Sequence, residues 1–157
     1  MIVPCKVSKE DKKNKMTSDI AKTIFEEAQY YYEATEILEE EREKDKLFPP
    51  VIMNAAFACE LFSKAILYKK SEKEIIKGHS LKKLYDCFPD DVKTQICQLF
   101  HNMSEERLTK FIDDIDELFE FWRYRYEYCS YSTHYSFVLE YMKILNEVTK
   151  NLMGGKH

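Results

Sequence analysis

The residues best equipped for chemistry are gathered in one stretch, FEFWRYRYEYCSYSTHYSF, from Phe119 to Phe137. Nine of the chain's aromatic residues (11 Tyr, 10 Phe and 1 Trp in all) fall inside it, together with Arg123 and Arg125. A guanidinium fork pairs with phosphate oxygens through parallel N–H donors, and tyrosine faces accept stacked bases. Arg123, Tyr124, Arg125, Tyr126 and Tyr128 therefore form a candidate binding surface for RNA or for an acidic group on a partner. The structural alternative is a helix end whose rings fill the rim of a bundle.

His134 opens an apolar stripe, since steps of four and three link it to Val138, Tyr141, Leu145, Val148 and Leu152. In the first turn of a helix it feels the positive end of the backbone dipole, which favours the neutral imidazole that a general base requires. The alternative is a packed or capping histidine. Glu60 sits in the Ala-rich run NAAFACELFSKAIL, where its carboxylate could reach Arg123 or Arg125 from a neighbouring helix. The alternative here is an exposed i,i+4 pair with Lys64, worth roughly 0.3–0.5 kcal/mol. His79, His101 and His157 are weaker candidates: the first precedes a capping serine, the second lies near a helix end and the third is terminal.

Familiar cofactor chemistry finds no foothold. The chain has no HExxH, Gly-rich phosphate loop, EF-hand loop or G-x-S-x-G elbow, and no two histidines stand at metal-ligand spacing. Five cysteines, odd in number and without a C-x-x-C pair, indicate reduced thiols rather than a disulfide framework or zinc knuckle. No metal and no cofactor is expected.

The elements that must position these residues are helices. Glycine occurs only three times, so β-turns are starved while helix formers abound. Thr17 or Ser18 can cap a first helix running to about Lys46, with Ile20, Ile24, Ala28, Tyr31 and Leu38 inward. Pro50 suits the first turn of a second, whose face is Ile52, Ala55, Cys59, Phe62 and Ile66. Gly78 breaks the chain before Ser80 caps a short helix, and Pro89 precedes another bearing Val92, Ile96 and Leu99. Ser104 caps the most regular helix, with Leu108, Phe111, Ile115, Leu118 and Trp122 inward and Glu105, Asp113, Asp116 and Glu120 largely outward. Ser132 or Thr133 starts the last.

The reading is an all-α chain, an up-and-down helical bundle of four to six helices. A single domain spans residues 17–153, preceded by a flexible Lys-rich tail over 1–16 and followed by a frayed tail over 154–157. A chain of 157 residues can bury about 70% of the surface it exposes when unfolded. With no apolar leader and no run of 18 uninterrupted apolar residues, the expected location is cytoplasmic, with no membrane partner. A net charge of −4 argues against broad electrostatic coating of nucleic acid.

Taken in order, NAAFACELFSKAILYKK, GHSLKKLYDCFP and FWRYRYEY before a final helix resemble the HEPN superfamily over roughly residues 20–150. The resemblance implies a two-fold homodimer and a prokaryotic toxin-antitoxin or antiphage setting, with RNA, an antitoxin or a defence-system protein as partner. Many members are metal-independent endoribonucleases with four to six residues between an Arg and the His that follows it. Here eight residues separate Arg125 from His134 and ten separate Arg123 from it. The expected function is therefore a HEPN-like dimerising binding module rather than an enzyme. The alternative is a ribonuclease in which His134 moves the proton and Arg125, or Arg123 in its place, steadies the phosphate. Dimerisation is expected through the final helix and the aromatic segment.

Overall fold

The structure, a computed structural model, describes residues 9–41, 48–70, 78–124 and 132–154, with side chains described for 16–41, 49–70, 78–116 and 135–154. Among the described residues there are six α-helices and no strand: α1 (Lys9–Glu40), α2 (Phe48–Lys70), α3 (Leu81–Asp86), α4 (Asp90–Leu99), α5 (Glu105–Tyr124) and α6 (Ser132–Gly154). The fold is an all-α helical bundle.

α2 is its central pillar. It packs against α1 on one side and α6 on the other, and α3 and α5 also touch it. Val51, Ala55, Ala58, Cys59, Phe62, Ala65 and Ile66 are all fully buried along it, in the three-and-four steps that keep one stripe facing inward. Pro49 and Pro50 occupy the first turn, where a missing N–H costs the helix nothing. By length and hydropathy the stretch Pro49–Lys70 would pass for a membrane span, with a mean hydropathy of 1.4, but its apolar side chains are covered by neighbouring helices.

α1 meets α2 through a seam of small residues. Ala21, Ala28 and Thr35, seven apart, are fully buried, and their size lets the two backbones approach closely. Thr35 turns its hydroxyl back to the Tyr31 carbonyl at 2.7 Å, so no donor is stranded in the seam. Gln29 Nε2 donates to Asn146 Oδ1 at 2.6 Å and ties α1 to α6. The helix starts at Lys9, eight residues before Thr17, so 9–16 extend the helix rather than form a tail. It also stops at Glu40, short of Lys46. Lys and Glu propagate a helix well, and Thr17 and Ser18 lie inside it as ordinary helical residues.

Ser80, Pro89 and Ser104 hold the N-terminal boundaries of α3, α4 and α5, as their types suggest. Ser80 Oγ accepts from Lys83 N at 3.2 Å, and Ser104 Oγ accepts from Arg107 N at 3.3 Å. His101 and Asn102 turn α4 into α5 with φ of 56° and 58°, a left-handed pair that asparagine tolerates better than most residues. In α6 the stripe Val138, Tyr141, Leu145 and Val148 is buried within the chain itself. These four side chains are thus committed to the chain's own core. Phe137 stacks between Phe100 at 5.3 Å and Phe111 at 4.8 Å, which joins α6 to α4 and α5.

Candidate functional site

The site begins with a carboxylate in the core. Glu60 belongs to α2's buried run, and its side chain is only 3% exposed. Its Oε1 atom takes two partners, Lys64 Nζ at 2.7 Å from one turn along the same helix and His79 Nδ1 at 2.9 Å from the chain before α3. Oε2 is buried with no hydrogen-bond partner. The expected i,i+4 pair with Lys64 is thus present, but it is no exposed surface pair. A buried carboxylate must be compensated, because desolvation of an unpaired charge costs several kcal/mol.

His79 is brought there by the turn before it. Gly78 has φ +125°, in the region where L side chains are strained, and a Cβ at this position would meet nothing within 4 Å. Conformation, rather than space, is what requires glycine here. The imidazole it delivers is 61% exposed. Since a carboxylate only accepts, Nδ1 carries the hydrogen of this contact, and Nε2 takes no part in it. This is the arrangement of a carboxylate-oriented proton acceptor, with its basic nitrogen on the side away from Glu60.

A second carboxylate clamps the next residues. Asp116 Oδ2 accepts from Ser80 Oγ at 2.7 Å and Lys82 N at 2.8 Å, while Oδ1 accepts from Leu81 N at 2.8 Å. These backbone donors are the ones that a helix start leaves without partners, and a negative charge there also suits the dipole. The segment His79–Lys82 is thus held from α2 by Glu60 and from α5 by Asp116. The expectation that Asp116 faces outward is corrected: it is half-buried, and the demand of α3's free N–H groups turns it inward.

Two hydroxyls deep in the core, Ser63 Oγ and Tyr141 OH, are each other's polar neighbour, but no hydrogen bond of good geometry joins them. Both residues are fully buried. Burial, reinforced by Cys59, Tyr85 and Asp116 nearby, holds the Tyr141 phenol well above the ordinary tyrosine range. Burial likewise pushes the Cys59 thiol up, so it behaves as a small apolar group whose Sγ lies 3.9 Å from the Val138 carbonyl.

No family model, no curated protein and no solved structure matches the chain.

The residues singled out for chemistry by type and spacing fall at the margin of the described structure. Arg123 and Tyr124 are the last two residues of α5 and His134 is the third of α6, but their side chains lie outside the described residues. Arg125, Tyr126 and Tyr128 lie outside them altogether. Glu60 is the member of that set whose surroundings are described, and its partners are Lys64 and His79. Sequence reasoning passed over His79 because a histidine before a capping serine looks like a loop residue. The available signal was the buried run around Glu60, which obliges some cationic or N–H donor to come to it. Among the described residues no group of three or more His, Cys, Asp or Glu side chains could hold a metal ion.

Proposed function

We propose that the chain is a HEPN-like dimerising binding module that engages RNA or a partner protein in a prokaryotic defence or toxin-antitoxin setting. The observation that supports this reading most is the 2.9 Å contact between His79 and Glu60. It joins NAAFACELFSKAILYKK and GHSLKKLYDCFP, two of the three segments that carry the resemblance, whose helices α2 and α3 also touch. The third, FWRYRYEY, begins on α5, and Arg123 stands seven residues beyond Asp116, which clamps the same unit. In this reading Arg123 and Arg125 hold phosphate or carboxylate groups and the tyrosines stack on bases or on partner side chains.

The second reading, a metal-independent endoribonuclease, has the Glu60–His79 dyad in its favour. A carboxylate-held imidazole that is itself largely exposed suits proton removal from a ribose 2′-hydroxyl, beside or in place of His134, while Arg125 or Arg123 steadies the phosphate. A fluorescein-labelled single-stranded RNA in chelator-containing buffer tests both. The binding module predicts a rise in anisotropy without cleavage, a salt slope of roughly −1.4 for two arginine contacts, and loss of binding in Arg123→Ala/Arg125→Ala. Chelator-resistant cleavage that either Arg125→Ala or His79→Ala abolishes would put the enzyme first. No anisotropy change at micromolar protein and low salt would remove RNA from the proposal.

A further inference from the structure

We infer that the outer face of α1 is a self-association surface on which two copies of the chain pair antiparallel, about a two-fold axis between residues 26 and 27. At 1.5 Å per residue α1 is about 48 Å long, the longest element in the bundle. Its inner side is the Ala21, Ala28 and Thr35 seam. On its outer side Met16, Tyr30 and Ile37 are 58%, 67% and 61% exposed, and they are the large apolar side chains most exposed among the described residues. Their spacing of 14 and 7 residues places them on one line, because seven residues nearly complete two turns. Thr23, also exposed, completes the heptad. Scattered exposed apolar residues need no explanation, but a line of them along one helix is a seam.

Charge determines what fits the seam. Residues 9–22 carry Lys9, Lys12, Lys13, Lys15 and Lys22 against Glu10, Asp11 and Asp19. Residues 23–41 carry Glu26, Glu27, Glu33, Glu36, Glu39, Glu40 and Glu41, with no lysine or arginine. Two parallel copies would set one glutamate run beside the other. Two antiparallel copies set Met16 opposite Ile37 and Thr23 opposite Tyr30. They also bring the register positions of Lys12 and Lys13 opposite Glu41 and Glu40. The helix is thus complementary to its own reverse. Its weak point is the axis, where Glu26 of each copy stands opposite Glu27 of the other. A standard stable interface buries about 800 Å² per partner, and a seam of one exposed side chain every two turns on a single helix falls on the weak side of that class, so association belongs in the micromolar range.

This inference shares with the proposed function only the need for a second copy. A dimer formed through another face would leave that reading standing and remove this one. Sedimentation equilibrium across micromolar concentrations at low and high salt tests it, with circular dichroism to check the fold of each variant. A salt-sensitive dimer is expected, and Lys12→Glu/Lys13→Glu and Glu40→Lys/Glu41→Lys should each weaken it by at least about tenfold. Mixing the two variants should restore association, since one is then acidic at both ends and the other basic. Tyr30→Ser should weaken the dimer, and Glu27→Gln should tighten it. A monomer under every condition would overturn the inference. So would a dimer indifferent to these substitutions, or a mixture that fails to recover.

Discussion

Glu60 and His79 meet at 2.9 Å across a steep gradient of exposure, the carboxylate sealed in the bundle and the imidazole open to water. Removing the two partners should therefore have unequal effects. His79→Ala leaves the buried carboxylate with Lys64 alone and is expected to cost about 1–3 kcal/mol in urea denaturation. Glu60→Leu removes the buried charge itself and frees Lys64 and His79 to reach solvent, so it should be neutral or stabilising by about 1–2 kcal/mol. A loss above about 3 kcal/mol for Glu60→Leu would mean that the ion network holds the fold together.

Asp116→Ala should destabilise by about 2–3 kcal/mol, because three donors at the start of α3 lose their acceptor together. Hydrogen exchange at the Leu81 and Lys82 amides is the direct readout, and both should lose protection. Unchanged protection there would show that the clamp does not organise this segment.

Tyr141→Phe is expected to leave stability within about 1 kcal/mol of the parent chain, since the buried hydroxyl it deletes has only a poorly aligned contact with Ser63. Phe62→Ala, on the pillar helix and fully buried, should cost about 3–5 kcal/mol. The same chemical melt measures both. A Tyr141→Phe loss above about 1 kcal/mol would mean that the phenol is hydrogen-bonded after all, to Ser63 or to a buried water.

Asp91 makes an exposed bridge to Lys70 at 2.8 Å, and the hydrogen bond from that ammonium holds its carboxyl below the ordinary carboxylate range. A carboxyl lowered on folding contributes stability that is fully present above its unfolded pKa, about 3.9, and is lost as pH falls through the folded value. Lys70→Met should therefore lose a small amount of stability at neutral pH and converge with the parent chain in acid, so that the acid limb of its urea-measured stability curve is flatter. Solvent screens the pair, so added salt should shrink the difference further.

Most of the fold was legible because its signals are local. Ser80, Pro89 and Ser104 mark helix starts through short-range hydrogen bonds and fixed torsions, and the α2 and α6 stripes follow a single period. Boundaries set by competition were harder: Thr17 and Ser18 could cap or continue a helix, and the long run of Lys and Glu decides for continuation. The site was legible only as far as Glu60. Its partner His79 comes from 19 residues away through a glycine turn, and Asp116 caps a helix 36 residues upstream of it. Neither relationship has a period, so neither leaves a trace in spacing.

The central position of α2 has a consequence for how the chain is made. During synthesis α1 can cover one side of this apolar helix at once, but the opposite side waits for α6, about 80 residues further along the message. Until then a nascent chain presents a hydrophobic strip of membrane-spanning length. A ribosome-bound chain halted before residue 132 should therefore recruit chaperones or the insertion machinery, and one that has released α6 should escape both.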